Sequence, residues 1–119
     1  MNTLTRGNVV MVELHSGERN VQKGLRPCIV IQNNMGNKFS PTVIIAPLTS
    51  RTIRDMITHT KITPSTENGL SVPSTALLEQ IQTISKDSIK KVLGVLSAFD
   101  MERVNSAIKN TLAIKLTSS

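Results

Sequence analysis

Aromatic side chains are nearly absent from this sequence. It has no tryptophan and no tyrosine, and Phe39 and Phe99 are its only phenylalanines. Single-stranded nucleic acid is commonly held by stacking bases on such rings, so a purely stacking mode of binding is disfavoured. Cysteine is reduced to Cys28, which excludes an internal disulfide. Cys28 sits inside an apolar run and reads as a small buried hydrophobe rather than a nucleophile. The two histidines, His15 and His59, are far apart, and no Cys or His pattern has zinc-ligand spacing. The carboxylates form no metal motif, and no glycine loop matches a phosphate-binding nucleotide motif. An enzyme built on this chain is expected to work without metal or cofactor. No apolar run approaches the length of a membrane span. Met1 to Asn8 carries no hydrophobic signal region, so the expected location is the cytoplasm, with no membrane partner.

What is present is basic and aliphatic. The net charge of +6 favours polyanionic partners, either nucleic acid or an acidic protein segment, although a solvated basic surface has the same composition. The 119 residues fit one domain. With so few rings, its core must be mostly Val, Ile and Leu.

Val9 to Leu14 is a strand candidate rich in β-branched residues. His15 to Leu25, with two glycines and three charges, reads as a loop. Pro27 opens the short apolar run CIVIQ, which has the length of a buried strand. Asn33 to Pro41 is a turn cluster. Thr42 to Leu48 is a third strand, where Pro47 suggests an edge position or a bulge. Thr58 to Ile62 is a weak strand, 64–73 a polar loop, and Ser74 to Ile84 a longer strand. Ser85 is a candidate cap for a short helix through Val92. Asp100 is the expected cap of the clearest helix, running to about Lys115 with Met101, Val104, Ile108 and Leu112 along one stripe. Strands first and helices last give an α+β class, a small curved antiparallel sheet or open barrel with helices packed on it.

The residues that could carry chemistry concentrate between 24 and 50. Gly24-Leu25-Arg26-Pro27 puts an arginine at the mouth of a buried strand, and Leu48-Thr49-Ser50 puts two hydroxyls at the end of another. A guanidinium fork with hydroxyl donors suits a phosphate, although an arginine at a strand start is often only a surface residue.

These residues belong to a larger pattern. Arg6-Gly7-Asn8-Val9 is followed by the run from Gly24 to Asn33 (GLRPCIVIQN), then Gly36 to Thr42 (GNKFSPT), Ala46 to Ser50 (APLTS), and Leu77 to Ile81 (LLEQI) with Thr83-Ile84. In order, spacing and composition these blocks resemble the MazF/PemK family of toxin ribonucleases, and the likeness runs from Arg6 to the last helix. It departs from the family pattern at Asn8, Val10 and Gln82, positions that bear on base contacts rather than on the reaction class. The resemblance implies a small SH3-like antiparallel β-barrel with peripheral helices and a C-terminal helix. It implies a homodimer with a groove for single-stranded RNA, blocked by an acidic, MazE-like antitoxin. It implies cleavage by attack of the ribose 2′-hydroxyl, leaving a 2′,3′-cyclic phosphate and a 5′-hydroxyl, with Arg26 and Thr49 as the catalytic pair.

Such an attack needs a base, charge stabilisation at phosphorus and a proton for the leaving oxygen. Arg26 suits the second and could serve the third, but is a poor base. Glu79 is one candidate base, or else the carboxylate that holds Arg26 or another cation. His59 is the other candidate, or else a half-buried strand histidine. Ser50 and Gln80 are supporting candidates. Arg19 and Lys23 in the loop, with Asn33, Asn37, Lys38 and Phe39 in the turn cluster, are candidate RNA contacts. The loop itself reads either as a mobile cover over the groove or as a plain connection. Two other functions fit the same architecture: a CcdB-like gyrase-binding toxin acting by protein contact alone, and a noncatalytic RNA-binding barrel.

Overall fold

The computed structural model describes residues 3–15 and 17–115; Ser16 of the first loop lies outside them. The elements run β1 (Asn8–Leu14), β2 (Gly24–Val30), α1 (Asn34–Phe39), β3 (Thr42–Thr49), β4 (His59–Ile62), β5 (Ser74–Leu77), β6 (Gln82–Ser85), β7 (Ile89–Val95) and α2 (Ala98–Leu112). All pairings are antiparallel, in the order β4-β5-β3-β2-β1-β7, with β6 also on β3. The expected sheet with a C-terminal helix is therefore present. The hydrogen-bonded path has two ends, so the pairing describes an open, curved sheet.

Both faces of that sheet are buried, which explains why β1 and β2 read as continuous apolar runs rather than alternating ones. On one face Val9, Ile29, Ala46 and Leu48 pack with Val104 and Ala107 of α2. On the other, Val10, Val12, Cys28, Val30, Val43 and Ile45 pack with Leu4 and Ile89. Two register shifts between β1 and β7 bend the sheet around this second cluster.

Strand β3 organises the molecule. Its first half, Thr42–Ile45, pairs with β6, and its end, Leu48 and Thr49, pairs with β5. Pro47 stands between the two, so its missing N–H falls where the partner changes. Pro47 is therefore in the middle of the sheet, opposite Cys28, and not on an edge. Ser74 to Ile84 is not one strand. A single 3-10 turn at Leu78–Gln80 breaks it and carries the chain from one half of β3 to the other.

Three other local expectations are corrected. The expected helix from Ser85 to Val92 is one 3-10 turn, Lys86–Ser88, followed by β7; pairing of Ile89–Val95 with β1 outweighs the helical start signal. Asn33 to Pro41 holds a short helix, because the Asn33 side chain accepts the Gly36 N–H at 2.8 Å as an N-cap. The cap of α2 is Ser97, accepting from the Asp100 N–H at 3.1 Å; Asp100 lies in the first turn and pairs with Arg103 at 3.0 Å. Helix α2 ends at Leu112 with Ala113 in the left-handed region. Of its predicted stripe, Val104 is buried and Met101 and Ile108 pack on the core, while Leu112 is exposed.

The loop 63–73 is pressed onto β7 through two glycines. A Cβ on Gly69 would stand 2.2 Å from the Leu93 carbonyl oxygen, and one on Gly94 would stand 2.1 Å from that of Glu67. Only side-chain-free backbone allows this approach, which brings Leu70 into the core and Ser74 to the start of β5.

Candidate active site

Strand register assembles the site. β2 and β3 pair as Val30 with Ile45, Ile29 with Ala46 and Cys28 with Pro47. This ladder ends at Cys28 and Pro47, and Arg26 and Thr49 each stand two residues beyond it, toward the same end of the two strands. Alternation along each strand puts both on the face that carries Cys28 and Ile45. From Thr49 a row runs across β5 and β4, through Thr75 to Lys61. Thr49, Thr75 and Lys61, from three strands, thus line up across the sheet at spacings of ~4.8 Å per strand.

The polar capacity along this row is only partly used. Arg26 donates from Nε to the Lys23 carbonyl at 3.0 Å, which closes a tight turn at the start of β2. Among the described residues its guanidinium enters no ion pair. Thr49 is buried, and its hydroxyl oxygen accepts the Arg51 N–H at 3.2 Å. That bond uses a lone pair and leaves the hydroxyl proton to be donated. Ser50 is exposed beside both. The thiol of Cys28, two residues from Arg26, is pushed up to about 12 by burial, with the Arg26 charge opposing. It is an inert core group, as its setting in the sequence predicts.

Glu79 and His59 form a unit of their own. His59 Nε2 lies 3.0 Å from Glu79 Oε2, and the Thr58 hydroxyl donates to Glu79 Oε1 at 3.3 Å. Glu79 therefore does not hold Arg26. His59 stands two strands over and two residues along from Thr49, a Cα separation of ~12 Å by strand spacing and rise. Gln80 holds the first loop: its Oε1 accepts the Gln22 N–H at 2.9 Å and its Nε2 donates to the Asn20 carbonyl at 3.1 Å. The loop is therefore pinned beside the start of β2, with Arg19 and Lys23 exposed on it.

The residues of the turn cluster stand elsewhere. Helix α1 packs at the Thr42 end of β3, a strand length of ~23 Å from Thr49. Asn33 caps the helix, and Asn37 is buried with both ends of its amide bonded. Lys38 and Phe39 are exposed and stack on each other, the ammonium 5.3 Å from the ring centre. Asn8 and Val10 are also structural. Asn8 accepts from the Thr5 N–H and donates to the Gly94 carbonyl, while Val10 is core. Sequence reasoning missed Arg51, which follows Thr49 by two residues, and Lys61 and Thr75, whose proximity to Thr49 comes from pairing between strands and has no local signal.

The family profile of PemK-like, MazF-like toxins of type II toxin–antitoxin systems matches residues 5–112. The chain belongs to this family. It is 41% identical over 112 residues to the endoribonuclease MazF of Staphylococcus saprophyticus, covering 93% of this chain and 92% of that one. Two solved structures show the same fold as this family member. One is an endoribonuclease in complex with its cognate antitoxin from Mycobacterial species, with TM-score 0.79, 24% identity and coverage of 96% and 99%. The other is MazF from Deinococcus radiodurans, with TM-score 0.80, 18% identity and coverage of 96% and 100%. Among the described residues of this PemK-like, MazF-like chain, no three of His, Cys, Asp and Glu come together as a metal-ligand set, and no helix is long and apolar enough to cross a membrane.

Proposed function

We propose that this protein is the toxin of a type II toxin–antitoxin system and a sequence-specific endoribonuclease that cleaves single-stranded mRNA without a metal, inhibiting translation and growth. The observation that carries the reading is the family match over residues 5–112, with Arg26 and Thr49, two residues beyond the paired part of the neighbouring strands β2 and β3, as the proposed catalytic pair. The ribose 2′-hydroxyl gives up its proton to solvent as its oxygen attacks the adjacent phosphorus, the bond to the 5′-oxygen breaks, that oxygen takes up a proton, and the products are a 2′,3′-cyclic phosphate and a 5′-hydroxyl. Arg26 neutralises the charge that builds on the phosphoryl oxygens and faces the departing oxygen. Thr49 donates its hydroxyl proton to a phosphoryl oxygen and fixes the phosphate against the ribose. Family membership, 41% identity to an endoribonuclease and the basic charge support this reading over a CcdB-like gyrase-binding toxin.

The fold is read as an SH3-like barrel left open between β6 and β7, working as a homodimer in the cytoplasm. Met56, Ile57, Leu112 and Ile114 are exposed on neighbouring segments, and the Asn110 side chain ties the Ile57 carbonyl to α2 at 2.9 Å. This apolar patch is the surface that a second copy covers. The acidic, MazE-like antitoxin occupies the groove near Arg26 and excludes RNA from it, with an attraction that weakens as salt rises. The test is incubation with a long RNA in excess chelator, followed by mapping of the new ends. Discrete cuts bearing 5′-hydroxyl and cyclic-phosphate ends support the reading. Intact RNA together with inhibited gyrase contradicts it.

A further inference from the structure

Beside Thr49 the ends of β3, β4 and β5 enclose a cavity of about 300 Å³ lined by Thr49, Arg51, Thr52, Lys61, Ser74 and Thr75, among others. Four of these carry hydroxyls and two carry positive charge. Ile53, Ile62 and Pro73 supply apolar wall, and no carboxylate contributes to the lining, which suits an anion. Thr75 and Lys61 stand in the same transverse row as Thr49, one and two strands away respectively. The Cα atoms of Thr49 and Lys61 are therefore ~10 Å apart, and the long lysine side chain can bridge much of that span. We propose that this cavity holds the phosphate next to the scissile one in the bound RNA, with Lys61 and Arg51 supplying charge and Thr75 a hydroxyl. The proposal rests on the nuclease reading above and adds to it the direction in which the RNA backbone crosses the sheet, from Arg26 toward Lys61.

Asp55 sets the resting state of this site. It lies 3.0 Å from the Lys61 ammonium, and both side chains are well exposed. An exposed pair of this kind is weak, so a phosphate displaces it at little cost. Removing the aspartate frees the lysine and tightens RNA binding.

The experiment uses the full chain and a short RNA containing the mapped cleavage sequence, in versions where each phosphate other than the scissile one is replaced in turn by a neutral methylphosphonate. For the natural chain, one replacement, next to the scissile phosphate, raises KM about tenfold and leaves kcat nearly unchanged. In Lys61→Ala the same replacement has little further effect, and the salt dependence of binding falls by about 0.7 in slope. Asp55→Asn lowers KM, and the gain vanishes when combined with Lys61→Ala. Lys61 is exposed, so the substitution leaves the core intact. Equal sensitivity of both proteins to every neutral linkage would overturn the proposal. So would an unchanged RNA KM in Lys61→Ala with weakened binding of a polyglutamate peptide, which would make the cavity a protein-docking site. Cleavage that survives Arg26→Ala would instead defeat the nuclease reading on which the proposal rests.

Discussion

The two ends of β3 are both polar, and they differ in what their polar groups are left to do. At the Thr42 end Gln32 and Asn37 are buried and bonded to each other, at 3.3 Å between side chains and 2.9 Å from Asn37 Nδ2 to the Gln32 carbonyl. Gln32 also donates to the Thr42 carbonyl at 3.1 Å, and Lys86 donates to the Asn37 carbonyl at 2.5 Å. At the Thr49 end Arg26 makes one bond to a carbonyl, Thr49 accepts one N–H, and Lys61 is held only by an exposed pair with Asp55. A satisfied network fixes a fold, and free donors with positive charge await an anion. Satisfaction of hydrogen bonds, and not polarity, separates the structural end from the one proposed to react.

The largest expected effect tests the reactive end. Arg26→Ala lowers kcat by on the order of 100-fold or more while the melting temperature stays near that of the natural chain, measured by cleavage assay and thermal unfolding. Thr49→Ala is severe in the same assay. Thr49→Ser is milder, because it retains the hydroxyl.

The structural end responds in the opposite way. Asn37→Leu removes one of the two acceptors of the Gln32 amide and the side-chain donor to the Gln32 carbonyl in a buried setting, so it destabilises by about 1–3 kcal/mol. Denaturant unfolding measures the loss, and cleavage per folded molecule is retained. Loss of cleavage in a fully stable Asn37→Leu protein would erase the contrast between the ends.

A smaller effect is expected where the first loop meets the site. Gln80→Ala removes both bonds to the segment 20–22, and RNA KM rises several-fold with little change in kcat. An equal fall in kcat would mean that Gln80 touches the reacting phosphate itself.

The smallest effect concerns Cys28. Its thiol resists alkylation in the folded protein and reacts on unfolding. Burial raises its folded pKa above that of the unfolded chain. Its contribution to stability is therefore complete below about pH 9 and declines as pH rises toward about 12. Cys28→Ala removes that alkaline component from the unfolding profile.

Local chemistry made much of the fold legible. β-branched runs marked β1, β2 and β3, and the helical stripe marked α2. The errors fall where tertiary pairing overrides a local signal. Ser85 does cap a turn, yet β7 pairs with β1 one turn later. Pro47 carries an edge signal, yet sits at a change of partner inside the sheet. At the site, Arg26 and Thr49 were visible through the blocks around them. Asn33 and Asn37 carry the same donors as a nucleic-acid contact, and only burial and bonding reveal that α1 uses them. Lys61 and Thr75 were invisible because the row that gathers them with Thr49 crosses segments far apart in sequence.

The most direct test of the central claim compares the natural chain with Arg26→Ala on one long RNA in excess chelator, with the chemistry of every new end determined. The account predicts discrete cuts with 5′-hydroxyl and 2′,3′-cyclic phosphate ends for the natural chain and none for the variant. Cuts that need added magnesium, carry 5′-phosphates or persist in a folded Arg26→Ala protein would contradict it.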